Sequence, residues 1–370
     1  NKKKMLSRLL TAVMVASLAG CGSQPEQAAT APATEEAPAE EAEAPAEEEA
    51  PAEEAEAPAE EAPTAVSYDP VTLKVAYMPN YGSLWSVLTA KEKGYFDEVG
   101  ITVEMVEFAD GPTIIAAMES GSINVGYIGQ GAHKLCINGK ASIFALSHIS
   151  NGDALIGGEG ITKVEDLKGK KVAYSSGSSS EDILVNSLKA SNMTMDDIEA
   201  VDMDAAAIVT AMLSGGVDAC ATWSPNSIKI LEEMEGATKL TDNMTFKDTT
   251  ISLASWIAMP DYAASNKDVL VRFTKALFKA MDYAADDHYD EVAQYVATQV
   301  AQDYDGVYEQ RGDADWLTGK EVSEGAANGQ VEEYYEVQKQ GFVDAGAVEV
   351  DPIPAVADYV MLDVMTEAGQ

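Results

Sequence analysis

From residue 70 onward the chain alternates short apolar, β-branched runs with amphipathic stretches. That is the pattern of parallel sheets whose strands are joined by crossover helices. Strands are predicted at 72–78, 101–108, 124–128 and 141–147, with helices between them, for instance at 84–93 and 112–120. A second series begins at 171, with strands at 171–174, 199–203 and 218–222 and helices near 180–190, 205–214 and 225–234. The chain then returns through a strand at 251–259 and is helical near 266–285, 289–301, 331–344 and 355–367. One series interrupted by another predicts an α/β chain of two lobes, with 67–155 and 250–370 forming a discontinuous first lobe and 156–249 the second. A length of 370 residues suits two lobes better than one core. Because open α/β sheets bind ligands outside the carboxyl ends of their strands, the segments just after each strand are the ones to search.

The first 66 residues follow other rules. Lys2, Lys3, Lys4 and Arg8 precede an apolar run from Leu9 to Leu18, which ends in Leu18-Ala19-Gly20-Cys21. Charged, apolar and small-residue regions in that order make an export signal, and the run is well short of the ~20 residues that span a bilayer. Leu-Ala-Gly-Cys also resembles a bacterial lipobox, which implies that 1–21 is a lipoprotein signal and that Cys21 becomes the lipidated first residue. Residues 22–66 repeat Ala-Pro-Ala-Glu-Glu with almost no large apolar side chain, a composition that predicts a disordered, extended tether. Whether that tether has a required length or is only a spacer stays open. The expected location is the extracytoplasmic face of a bacterial cell membrane, with lipid as the only attachment.

The formal net charge is −38, but 14 of the 62 acids lie in 24–65, leaving 48 acids against 24 bases. A surface that acidic repels phosphate backbones, so no nucleic-acid partner is expected. Cys136 and Cys220 are read as small buried apolar residues in different lobes, not as a disulfide. His133, His148 and His288 have no zinc-like spacing, so no metal is expected. There is no Gly-x-Ser-x-Gly elbow, no phosphate-binding loop and no Gly-x-Gly-x-x-Gly after the first strand. Without a nucleophile and base suggested as neighbours, neither an enzyme nor a cofactor is expected.

The strand ends supply the candidate ligand-binding residues. After the first strand come Asn80 and Tyr81, followed by Trp85, in a loop that is either part of a site or an ordinary turn with Trp85 in the core. After the second come Gly111 and Pro112, the proline suited to the first helical position. After the third come Gln130 and Gly131. The second series opens with Ser175-Ser176-Gly177-Ser178-Ser179-Ser180-Glu181, where a strand runs into hydroxyls, glycine and a helix start, a natural oxyanion seat. Ser176, Ser178, Ser179 and Ser180 are the candidates there; the alternative is that the serines only cap the helix, with Glu181 completing a capping box. Asp153 and Asp204 follow strands and could meet a cationic group. Trp223 and Trp256 could wall the cleft, although Trp256 sits mid-strand and is equally a core residue. Arginine is confined to Arg8, Arg272 and Arg311, none in a strand-end loop, so no bidentate clamp on a carboxylate or phosphate is expected.

The run Phe108-Ala109-Asp110-Gly111-Pro112-Thr113 through Ala117-Met118-Glu119-Ser120-Gly121-Ser122-Ile123-Asn124-Val125-Gly126, preceded by Gly94-Tyr95-Phe96-Asp97, resembles the substrate-binding proteins of bacterial importers for taurine, aliphatic sulfonates and nitrate. Val164-Glu165-Asp166-Leu167-Lys168-Gly169-Lys170-Lys171-Val172-Ala173, Ala211-Met212-Leu213-Ser214-Gly215-Gly216-Val217-Asp218-Ala219 and Trp223-Ser224-Pro225 extend the resemblance, which runs from about residue 70 to about residue 290. It implies a periplasmic-binding-protein-like fold of type II, closing by hinge motion over a small solute, with an ABC permease and an ATPase as partners. Taurine-binding members carry Asn-Ser-Glu where this chain has Asn151-Gly152-Asp153, and prolines around the position of Asp204. The expected solute is a small sulfonate such as taurine, its oxyanion on the 175–180 helix entrance with help from the Gly111 and Gly131 loops. Its ammonium would meet Asp153 or Asp204, with Trp223 as cover. A thiamine-precursor-like pyrimidine or other small heterocycle is the alternative; an extracellular sensor or adhesin, or an enzyme on the same fold, are further rivals.

Overall fold

The computed structural model describes residues 67–370. The export signal, Cys21 and the tether lie outside the described residues. Eleven strands follow in chain order: β1 (Val71–Tyr77), β2 (Ile101–Glu107), β3 (Val125–Ile128), β4 (Ser142–Ser150), β5 (Asp153–Gly157), β6 (Lys171–Tyr174), β7 (Glu199–Asp202), β8 (Ala219–Trp223), β9 (Thr238–Asp242), β10 (Leu253–Ala258) and β11 (Ala314–Asp315). They form two sheets, one ordered β11-β4-β10-β3-β1-β2 and the other β7-β6-β8-β5-β9. In the first, β1 runs parallel to β2 and β3, and β10 returns antiparallel between β3 and β4. In the second, β6 is parallel to β7 and β8, while β5 is antiparallel to β8 and β9. The chain leaves the first sheet at Ser150 and enters the second at Asp153, so residues 153–155, assigned to the first lobe above, hydrogen-bond in the second sheet.

Each sheet has its own core. Leu73, Val75, Phe144, Trp256 and Ile257 anchor the larger, with the helix Tyr81–Glu92 buried along nearly its whole length against the amphipathic helix Lys267–Ala285. Leu155, Leu167, Val172, Leu184 and Ala221 fill one face of the second sheet and Ile156, Ile208, Met212, Cys220 and Ile230 the other. Cys136 and Cys220 are both free and buried.

The predicted strands all form, with ends shifted by up to three residues. Three strands were not anticipated. β5 is a five-residue buried run directly after β4, where no strand is predicted. β9 is a polar edge strand with no apolar alternation, and β11 is only two residues long. The helix expected at 355–367 begins only at Leu362. Before it the backbone is held against β4, where Ile143 donates to the Tyr359 carbonyl and accepts from the Met361 amide, both at 2.8 Å.

Candidate functional site

The loops after the strands are shaped by local capping. Asn80 caps the helix Tyr81–Glu92 by accepting from the Ser83 amide at 2.8 Å, and Asp110 caps Gly111–Glu119 by accepting from Thr113 at 2.9 Å. Ser178 caps the helix Ser179–Ala190, accepting from the Ser180 amide at 3.2 Å. All three helices begin at one small cavity of about 70 Å³ between the two sheets, open to solvent at its mouth. The first sheet's side supplies Asn80, Gly82, Gly111, Pro112, Tyr127, Gln130 and His148 among others; the second supplies Asp153, Ser178, Ser179, Trp223 and Ser224. Gln310, Asp313 and Trp316 complete the lining from the segment around β11. None of the described residues lining the cavity is Lys or Arg.

Of the candidates, Asn80, Gly111, Pro112, Gln130, Asp153, Ser178, Ser179 and Trp223 face this cavity. The others do not, each for a physical reason. Tyr81 is fully buried in the first turn of its helix, its amide donating to Gln310 Oε1 at 2.9 Å. Gly131 packs on the second sheet's loop: a Cβ there would stand 2.1 Å from the Ser178 carbonyl carbon. Ser176 is exposed, its amide bound by Asp202 Oδ1 at 2.9 Å. Ser180 is fully buried and donates to the Ala221 carbonyl at 2.8 Å. Asp204 caps the helix Ala205–Leu213 through the Ala207 amide at 2.8 Å and opens on a separate, outer depression. Trp256 is core, edge-on to Tyr127 and Phe273, and Trp85 is core as well, donating to Ser147 Oγ at 3.1 Å. Pro112 occupies the second helical position, because the helix starts one residue earlier than expected.

The serine run therefore divides. Ser178 and Ser180 brace the turn, with Ser178 Oγ donating to the Ser175 carbonyl at 2.7 Å. Glu181 accepts from the Gly177 amide at 2.8 Å and from Lys134 Nζ at 3.0 Å, a variant of the capping box that ties the two sides of the cavity together. Of the three, only Ser179 turns its hydroxyl to a carboxylate, donating to Asp153 Oδ1 on the same side at 2.6 Å. Asn243 Nδ2 donates to Asp153 Oδ2 at 2.9 Å. Burial raises the Asp153 carboxyl above its ordinary range, and these hydrogen bonds oppose the rise.

Asp313 was missed by sequence reasoning. Its backbone carbonyl accepts from the Asn151 amide, which sets the side chain beside Gly152 and Asp153. Burial pushes its carboxyl up to about 6; the Ser224 hydroxyl opposes this and the Asp153 charge adds to it. Its Oδ2 is buried without a hydrogen-bond partner. Also missed were Trp316, packed 4.7 Å from His148 and 5.0 Å from Trp85 between ring centres, and His148, whose ring burial drives down to about 3, so that it is neutral at pH 7. No strand precedes 310–316 to mark it; the polar break Gln310-Arg311-Gly312-Asp313 between helical stretches was the one available signal. The two described arginines are occupied elsewhere, Arg272 on the Val99 and Asp69 carbonyls and Arg311 over the Tyr308 ring. Among the described residues there is no group of three or more His, Cys, Asp or Glu that could hold a metal.

The model of the NMT1/THI5-like family matches residues 83–289, which span the walls built from both sheets. This chain belongs to that family. A binding protein of Brucella abortus (strain 2308) is 28% identical over 306 residues, covering 82% of this chain and 94% of its own. The taurine-binding periplasmic protein of Escherichia coli K12 is 27% identical over 186 residues, covering 50% of this chain and 58% of its own. These relatives are binding proteins, not enzymes. The alkanesulfonate-binding protein of Xanthomonas axonopodis pv. citri, solved with MOPS, superposes with a TM-score of 0.60 at 20% identity over 80% of this chain and 99% of its own. The NMT1/THI5-like chain thus has the periplasmic-binding-protein fold that the sequence resemblance implied. Among its described residues no helix is long and apolar enough to cross a membrane.

Proposed function

We propose that this chain is the solute-binding component of an ABC importer, lipid-anchored through Cys21 at the extracytoplasmic face of a bacterial cell membrane. Its cavity closes by hinge motion over a small organic solute with an oxyanion end, a sulfonate of the taurine type. The observation that carries this reading is the convergence of three helix starts, at Tyr81, Gly111 and Ser179, on a cavity with no cationic side chain in its described lining. Helix ends of that polarity attract an oxyanion without needing Lys or Arg. The names of relatives, taurine-binding in Escherichia coli and aliphatic-sulfonate-binding in Bacillus subtilis, support the same solute class. A permease and an ATPase would take the solute onward.

A second reading is favoured by the aromatic walls. Tyr127, Trp223 and Trp316 line the cavity, and aromatic linings suit a flat heterocycle such as an aminopyrimidine. Melting temperature measured against taurine, alkanesulfonates, nitrate and aminopyrimidines separates the two. A ligand at a hundred times its dissociation constant adds about 2.7 kcal/mol of stability. A selective rise with sulfonates that is lost in Ser179→Ala supports the first reading; a rise with the heterocycle alone supports the second and removes the first.

A further inference from the structure

We propose that Asp313, not Asp153, is the carboxylate that meets the solute, and that the group it receives is a cationic nitrogen, an ammonium or a protonated amine. This rests on the reading of the cavity as the solute site and narrows the class of solute.

The two acids lining the cavity differ in what they have left to offer. Asp153 has both oxygens engaged, Oδ1 by Ser179 and Oδ2 by Asn243, and its own amide donates to Asn243 Oδ1 at 3.0 Å. Its charge fastens the helix start at Ser179 to the loop after β9, a structural task. Asp313 also lines the cavity, and its Oδ2 is buried with no partner. A buried, unpaired carboxylate oxygen is costly, and the cost is removed when a ligand supplies the missing donor. No described lining residue can do so as a cation, and Lys239, whose charge acts on Asp313, pairs with Asp242 at 3.0 Å. Trp223, Trp316 and Tyr127 line the same cavity, and aromatic rings attract a cation.

The two kinds of contact also come from different parts of the chain. Asp313 and Trp316 lie beyond the family-matched residues 83–289, whereas the helix starts at Gly111 and Ser179 lie within them. The carboxylate and the helix starts at Gly111 and Ser179 thus reach the cavity from different parts of the chain. A plain alkanesulfonate would leave Asp313 Oδ2 unpaired; an aminosulfonate would not.

The test is calorimetric titration of the full chain with taurine, ethanesulfonate, ethanolamine and an aminopyrimidine, in wild type and in Asp313→Asn, with folding of the variant checked by circular dichroism. Taurine is expected to bind at least tenfold more tightly than ethanesulfonate in wild type, a comparison that needs no variant. Asp313→Asn should weaken every amine-bearing probe that binds by tenfold or more and leave ethanesulfonate unchanged or tighter. If no sulfonate binds while the aminopyrimidine does so through Asp313, the sulfonate reading fails and this one stands. Equal affinity for taurine and ethanesulfonate, no binding of any amine-bearing probe, or amine binding indifferent to Asp313→Asn would overturn it.

Discussion

Gly131 lies so close to Ser178 that a single added carbon would stand 2.1 Å from the Ser178 carbonyl carbon and 2.6 Å from the Ser179 nitrogen. Gly131 belongs to the loop after β3 and Ser178 to the loop after β6, so loops of the two sheets meet here backbone to backbone beside the cavity. Such an approach is open only to glycine. Gly131→Ala must push the two sides apart, which spoils the alignment of the helix start at Ser179 with that at Gly111. The expected outcome is at least a tenfold loss of solute affinity, with a larger radius of gyration by X-ray scattering in the presence of solute and unchanged secondary structure. Full affinity in the alanine variant would mean that this contact does not shape the site.

Trp223 ends β8 at the cavity, half-buried and outside the three hydrophobic cores. Trp223→Ala should therefore weaken solute binding by roughly five- to fiftyfold, the ~1 to 2.3 kcal/mol that an aromatic or cation–π contact supplies. The melting temperature of the free protein should move little. Intrinsic fluorescence checks the same point, since the change in emission on titrating solute into wild type should shrink in this variant.

The helix starts at 81, 111 and 179 were legible to within a few residues, because Asn80, Asp110 and Ser178 are capping residues placed just before apolar periodicity. Eight candidate residues on those loops and strand ends do face the cavity. What sequence could not show was the division of labour within the serine run, which depends on where Ala221 and Asp153 lie across the second sheet. Nor could it show Asp313 and Trp316, which reach the cavity from some ninety residues beyond Trp223 through a two-residue edge strand. Asp204 illustrates the opposite error: a carboxylate at a strand end that its own helix consumes as a cap.

Solute binding should depend on pH through Asp313. Its carboxyl is raised to about 6 in the free protein, and a cationic nitrogen favours the ionised form. Binding near pH 6 should then release protons, and affinity should fall as pH drops from 7 to 5. Calorimetry in two buffers of different ionisation enthalpy measures the release. Proton uptake on binding, or none in wild type, would contradict the role of Asp313.

Stability should also fall on acidification, through His133. Its ring is buried between the Gly129 carbonyl at 2.8 Å and Ser255 Oγ at 2.8 Å, and Ser255 in turn meets the Tyr335 hydroxyl at 2.7 Å. Burial lowers the His133 pKa to about 4, the backbone carbonyls opposing the drop. The unfolded chain takes up a proton near ~6.5 while the folded one resists it, so stability is full above that pH and is lost as pH falls toward 4. The shift corresponds to on the order of 3 kcal/mol. His148 acts in the same direction, and Asp182 and Asp313, whose carboxyls are raised, act against it. Comparing wild type with His133→Gln isolates the one residue: the variant should lose less stability to chemical denaturation between pH 7 and pH 5. An equal loss in both would show that His133 does not titrate this way.

The most direct measurement is calorimetric titration of the purified chain with taurine, followed by mass analysis of the solute recovered after denaturation. The prediction is one solute bound per chain, at an affinity weakened by Gly131→Ala and by Trp223→Ala, and recovered chemically unchanged. A solute that emerges converted, or binding that neither substitution touches, would contradict a cavity that captures without chemistry.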